Sequence, residues 1–157
     1  MISLRSFTSA EFDFACKLKG IEGEADQAKF RPRFDGSGRW EGHFYNIAID
    51  LAGVAVGEAQ ARHCAQAMPP GTAEVGIELV AEMRGRGIGT QVLNLLKEEL
   101  FDTGFYRISG STDVTNIPMQ RAFEKAGWKF EGISRHLMPA GEDLPHDYRV
   151  YAITKWD

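Results

Sequence analysis

A mixed α/β sheet in a single domain, residues 1–157, is the fold class this sequence predicts, with about six to seven strands flanked by about four helices. Three observations carry that expectation. Short runs of strand-forming residues alternate with segments whose apolar residues recur at helical spacing. A length of 157 residues suits one domain with a real core. A hydrophobic fraction of 43% and a charged fraction of 25% are ordinary for a globular chain, which excludes a disordered or collagen-like one.

The elements follow in order. Residues 2–7 read as a strand. Thr8 and Glu11, three apart, make a capping box, and a helix over 9–19 ends at Gly20. Residues 21–42 hold charges, Pro32, Gly36 and Gly38, and read as a weak helix plus loop. A hairpin follows, with FYNIAID (44–50) and VAVGEAQAR (54–62) around the turn Asp50-Leu51-Ala52-Gly53. HCAQAMPPG (63–71) is a loop by its prolines and glycine, and AEVGIELV (73–80) is a strand. After RGRGIGT (84–90) comes a helix over about 87–101, with Val92, Leu93, Leu96 and Leu100 on one face; Thr103-Gly104 ends it. YRISGSTDV (106–114) is a strand. Asn116 opens a further helix with Pro118 in its first turn, where a missing N–H does no harm. Met119, Ala122, Phe123 and Ala126 share a face of it, and Gly127 terminates it. WKFEGIS (128–134) reads as a strand, MPAGEDLPH (138–146) as a loop and DYRVYAITKW (147–156) as the last strand.

Charge and cysteines narrow the function. A net charge of −4 disfavours a general nucleic-acid binder and weakly suits a cationic or amine-bearing partner. No apolar run approaches the roughly 20 residues of a membrane helix. The opening MISLRSFTSAEFDF lacks the basic-then-apolar order of a secretion signal. Cys16 and Cys64 stand in no metal-type spacing, so reduced thiols in a cytoplasmic protein and no bound metal are expected.

RGRGIGT is the most informative stretch. A loop that leaves a strand and opens a helix presents unpaired backbone N–H groups, and the helix dipole adds positive potential there. Glycines at 85, 87 and 89 let an anion approach the backbone, so phosphate or pyrophosphate is the natural ligand. Arg84 and Arg86 can add charge. The spacing does not fit the dinucleotide fingerprint G-x-G-x-x-G, and no Walker lysine follows. The plainer alternative is a glycine turn that packs a helix tightly on a strand.

Arg84-Gly85-Arg86-Gly87-Ile88-Gly89 resembles the R/Q-x-x-G-x-G/A signature of the GNAT acyltransferases, acetyl-CoA-dependent N-acetyltransferases. AEVGIELV resembles the family's fourth strand, and NIPMQRAFEKAGW (116–128) resembles its second motif. HDYRVYAITKW resembles the last strand of the branch containing ribosomal-protein N-terminal acetyltransferases. The likeness covers roughly residues 44–157.

The resemblance implies acetyl-CoA as co-substrate and a V between two splayed central parallel strands. Backbone N–H groups from Arg86 to Thr90 would hold the pyrophosphate. Leu79 and Val80 would pair with the pantetheine arm as an added strand does. Asn116 would bond the pantetheine, Phe123 would line its channel, and Lys125 or Arg121 would meet CoA phosphates. The acceptor would be a small amine or a peptide N-terminus. A homodimer, common in relatives, is left open.

Acetyl transfer needs a neutral amine, a polarised carbonyl and a protonated leaving thiolate. A backbone N–H near Leu79 or Val80 would steady the oxyanion, as in the family. Glu74 and Glu78, four apart on a strand, share a face and are the base candidates. Glu74 is preferred, because relatives commonly carry a glutamate there. Solvated carboxylates are the plainer reading. Glu58 and Asp113 are further acidic candidates, and His146 is an alternative base. The acid is the departure from the family: relatives carry tyrosine where this chain has Phe123, and some carry serine near Met119. Tyr148 and Tyr151 are other donors, though core packing explains them equally well. An acyl-CoA-binding module without efficient catalysis is therefore the alternative function.

Overall fold

From the N-terminus the chain runs through β1 (Ile2–Arg5), α1 (Phe12–Leu18), α2 (Glu24–Asp35), β2 (Trp40–Glu41), β3 (Phe44–Leu51), β4 (Val54–Arg62) and β5 (Thr72–Leu79). It continues through α3 (Ile88–Asp102), β6 (Arg107–Asp113), α4 (Ile117–Lys125), β7 (Lys129–Ala140) and β8 (Asp143–Thr154). This computed structural model describes all of residues 1–157. The strands form one sheet in the order β1-β3-β4-β5-β6-β8-β7, with β2 beside β3. Eight strands thus exceed the six to seven expected, the extra one being the two-residue β2.

Local sequence explains most elements. The Thr8–Glu11 capping box forms, opening a 3₁₀ turn (Ser9–Glu11) ahead of α1. α3 buries Ile88, Val92, Leu93, Leu96 and Leu100, the face its 3.6-residue period dictates. Asn116 caps α4 by accepting from Met119 N at 3.3 Å.

Two readings are corrected. Residues 24–35 form a regular 12-residue helix despite Pro32 inside it. Pro32 leaves one carbonyl unpartnered, but Phe30 and Phe34, four apart, are buried against Phe12 and Phe7. The stretch 138–146 is no loop. β7 runs to Ala140 and β8 begins at Asp143, so Gly141 and Glu142 alone turn the chain. The hairpin tolerates Pro139 because β7 is the outer strand, and bulges between Ser134 and Ala140 interrupt the ladder.

The sheet has two unlike faces. On one, α3 and α4 cover a 19-residue apolar cluster that includes Ile47, Ala59, Leu96, Ile108, Phe123 and Tyr151. On the other, α1 and α2 cover β3 and β4 through polar contacts: Lys19 with Glu58, and Arg33 with Asn46 and Gln60. The feature that positions the site lies between β5 and β6. These parallel strands pair only from Thr72↔Arg107 to Glu74↔Ser109. Beyond that point they diverge as the expected V.

Candidate active site

The mouth of the V carries the glycine loop. Gly85 and Gly87 adopt φ of 73° and 77°, the left-handed region open to glycine at little cost. Gly87 is the N-cap of α3, whose first turn has neither a side-chain cap nor an acidic residue. Consequently the backbone N–H groups from Gly85 through Thr90 donate to no protein acceptor. Arg86 stands exposed, and Arg84 reaches back to donate from Nε to Leu79 O at 3.3 Å. Gly89 has a different setting. It lies in the first turn of α3, where a Cβ would make an ordinary van der Waals contact with Ala122 Cβ at 3.5 Å. Ile88 is buried beneath the loop and Thr90 is half-buried.

Inside the V lies a cleft of about 160 Å³, lined by Val75, Gly76, Ile77, Ser111, Asn116 and Phe123 among others. Val80 N donates to Val56 O at 3.0 Å, and Val80 O accepts from Met83 N. Val80 is therefore fully engaged, contrary to the expectation that it offers its backbone to a ligand. Hydrogen bonding alternates along an antiparallel ladder, so Leu79 and Ile77 turn their N–H groups away from β4 towards the V. Ile77 was not singled out by sequence; only the position of Val80 in the ladder reveals it. Asn116 commits its Oδ1 to the α4 cap, which leaves its amide N–H groups at the cleft. Phe123 is 2% exposed, and its ring tip would stand 2.7 Å from a Cβ at Gly110. Lys125 and Arg121 are exposed on α4 without ion-pair partners.

The acidic candidates divide sharply. Glu74 is held by Arg62 in an ion pair of 2.5 Å. The carboxylate preferred from sequence is thus paired across the β4–β5 ladder, a contact no spacing rule supplies. Glu78 is exposed and has neither a hydrogen bond nor an ion pair. Glu58, opposite it in the ladder, is 2% exposed. Its Oε1 accepts from Lys19 Nζ at 2.7 Å and Asn46 Nδ2 at 2.9 Å. Across the V, Asp113 accepts from Thr115 N and Thr115 Oγ1, and its Oδ2 lies 2.5 Å from His146 Nδ1. These bonds, the Thr115 backbone one foremost, pull the Asp113 carboxyl down to about 2, while Asp113 pushes the His146 imidazole up from its ordinary value. Tyr151 is stacked on Phe123 at 4.9 Å with its hydroxyl held by Arg149 and Glu124. Tyr148 is half-buried opposite Asp113.

A larger cleft of about 370 Å³ lies at the closed end of the V, bordered by Met68, Thr72, Glu74, Arg107 and Ser109. No group of three or more His, Cys, Asp or Glu side chains is arranged to hold a metal ion, and no helix is long and apolar enough to cross a membrane.

A strand and a helix joined by unpaired amides, set beside a split in a mixed sheet, define an α/β protein built to hold an anion at the mouth of an open cleft. A family model described as the acetyltransferase (GNAT) family matches residues 7–128, and the chain belongs to that family. The match reaches further towards the N-terminus than the motifs alone and stops before the β7–β8 hairpin. Mycobacterium smegmatis RimJ in complex with CoA-disulfide superposes with a TM-score of 0.78 at 16% identity, covering 99% of this chain and 82% of that one. A spermidine N-acetyltransferase SpeG chimera from Vibrio cholerae and hSSAT gives 0.82 at 14% identity, covering 99% and 96%. The aminoglycoside acetyltransferase AAC(6')-Ib in complex with coenzyme A and kanamycin gives 0.72 at 20% identity, also covering 99% and 96%. At these identities the likeness is one of fold. No curated protein matches the sequence.

Proposed function

We propose that this protein is an N-acetyltransferase that moves the acetyl group of acetyl-CoA to a primary amine by direct attack in a ternary complex. The observation that carries the reading is the run of unpaired N–H groups from Gly85 to Thr90 at the open end of the V. Those groups receive the CoA pyrophosphate, with Arg86, Lys125 and Arg121 supplying positive charge around it. Ile77 offers backbone pairing to the pantetheine arm, and the Asn116 amide bonds it from the β6 side. The solved relatives that hold CoA support this assignment.

Glu78 is the general base in this reading, being the free carboxylate on β5. It takes a proton from the attacking nitrogen, directly or through water. The Leu79 N–H steadies the oxyanion. The acceptor, a small amine or a peptide N-terminus, approaches on the α1–α2 side, where Glu78 stands exposed and unpaired. A free carboxylate there suits a cation. The neighbours' titles name acceptors as different as kanamycin and spermidine, so the fold does not choose between them. The cytoplasm is the proposed site of action.

Thermal-shift titration with acetyl-CoA, CoA, NAD and ATP tests the cofactor. A ligand at 100 times its dissociation constant stabilises by about 2.7 kcal/mol. Stabilisation by the CoA species alone is expected; none from either would leave the glycine loop as a packing turn. A thiol-release screen over amines and peptides then tests catalysis. Glu78→Gln is expected to cost on the order of 10²-fold in rate with unchanged CoA affinity, and Glu74→Gln little. Phe123, standing where relatives carry a tyrosine, favours a second reading, a CoA-binding module without turnover. Tight CoA binding with no thiol release from any amine would support it.

A further inference from the structure

The cleft is poor in proton donors. Phe123, Leu93 and Val75 present only carbon, and Met119 adds a thioether sulfur that carries no proton. The Tyr151 hydroxyl accepts from Arg149 Nε at 3.1 Å and donates to Glu124 Oε1 at 3.3 Å, so it is committed to α4 and β8. The hydroxyls of Ser111 and Thr112 are neutral groups far less acidic than a thiol.

One strong donor stands at the edge of the V. Asp113 lies four residues beyond Ser109, and Glu78 lies four beyond Glu74, the residue paired with Ser109. Glu78 and Asp113 therefore occupy equivalent positions on the diverging strands and project from the same face. Asp113 uses Oδ1 for Thr115 and Oδ2 for His146 Nδ1, which fixes the imidazole with Nε2 free. Val114 N donates to Asp147 O at 3.0 Å and ties β8 to the same point. A free carboxylate thus borders one side of the mouth and a carboxylate-held imidazole the other.

We propose that His146, positioned by Asp113, is the general acid that protonates the departing CoA thiolate. The assignment rests on the acetyl-CoA reading above. As the tetrahedral intermediate collapses, the C–S bond breaks and its electron pair goes to sulfur. The Nε2–H bond of the imidazolium breaks, its electrons stay on nitrogen, and an S–H bond forms. Glu78 removes one proton from the attacking nitrogen and His146 supplies one to sulfur. The two exchange with solvent to restore the starting state, so no net proton is consumed.

Electrostatics agree with that role. Asp113 on β6 favours the imidazolium foremost, and Asp143 and Asp147 on β8 add to it. Glu78 faces the mouth from β5, uncharged Met138 lies opposite on β7, and Tyr148 adjoins on β8. Raising the imidazole above its ordinary value keeps it as imidazolium, the form that can donate a proton.

The test needs no acceptor. With ¹⁵N-labelled histidine and backbone, the His146 imidazole signals are identified by their loss in His146→Gln. They are then followed with the amides of residues 85–90 during titration with CoA and with desulfo-CoA, which lacks only the thiol. The expected result is that the amides move equally with both ligands, while His146 shifts and changes its titration midpoint with CoA but not with desulfo-CoA. If the amides respond and His146 is indifferent to the thiol, the acid lies elsewhere and the acetyl-CoA reading stands. If the amides respond to neither ligand, both readings fall.

Discussion

The two faces of the sheet are held by opposite means. Towards α3 and α4 the contacts are apolar and complete: Val92, Leu93, Leu96 and Ile108 have no exposed surface. Towards α1 and α2 only Ala15, Cys16, Phe30 and Phe34 make a small apolar cluster, and ions do much of the rest. Close-packed interiors hold geometry tightly, so the first face fixes how far β5 and β6 can diverge. The second face is held by ion pairs and carries the exposed, unpaired Glu78. A rigid apolar side sets the V, and a polar side borders its mouth.

The largest expected contrast comes from deleting one side chain on each face. Leu96→Ala should lower unfolding free energy by about 2–5 kcal/mol, measured by denaturant unfolding. Lys19→Met should cost about 3 kcal/mol, because it strands the buried Glu58 carboxylate. Replacing both, Lys19→Met with Glu58→Met, should recover most of that loss, since no unpaired charge remains. A double variant as unstable as the single one would mean that packing, not the ion pair, holds this face.

A smaller contrast separates two glycines of one loop. Gly87 has φ of 77°, where a Cβ costs roughly 1–2 kcal/mol, so Gly87→Ala should lose about that much stability and also weaken CoA binding. Gly87→Val should obstruct backbone approach further, lowering CoA affinity more than it perturbs the fold. Gly89→Ala has room against Ala122 and sits in a helix, so it should be neutral or stabilising by up to about 1 kcal/mol. Equal CoA affinity in a folded Gly87→Val would count against the phosphate cradle.

The same division explains what could be read from sequence. α3 and α4 were legible because one-sided burial imprints a 3.6-residue period, as at Val92, Leu96 and Leu100. α2 was not, because its face towards the sheet mixes Phe30 and Phe34 with Arg33, whose guanidinium lies 3.9 Å from the Phe44 ring. The β7–β8 hairpin escaped for another reason. Met138 and Leu144 are 47% and 77% exposed, so no core dictates their pattern, and Pro139, Gly141 and Pro145 spell a loop. In the site, the glycine loop and Asn116 were legible because their chemistry is local. The Glu74–Arg62 pair, the engagement of Val80 by Val56 and the Asp113–His146 contact each join residues 12 to 33 apart or depend on ladder phase. Residue type named Glu74, Asp113 and His146, and the family resemblance named Val80, but only the register brought in the residues they contact.

The smallest expected effect is the pH dependence of the Asp113–His146 contact, which links β6 to β8 at the edge of the polar face. Asp113 is depressed from 3.8 to about 2, so its share of stability is present above 3.8 and fades as pH falls towards 2. His146 is raised above 6.5, so its share is full below 6.5 and is lost as pH rises through the folded-state value. The difference in melting temperature between the wild type and His146→Gln should therefore be greatest between pH 3.8 and 6.5 and shrink on either side. Both groups touch solvent, so added salt should reduce the difference. A gap that widened above pH 7 would mean that the imidazole is bonded in its neutral form, and the acid role of His146 would lose its electrostatic support with it.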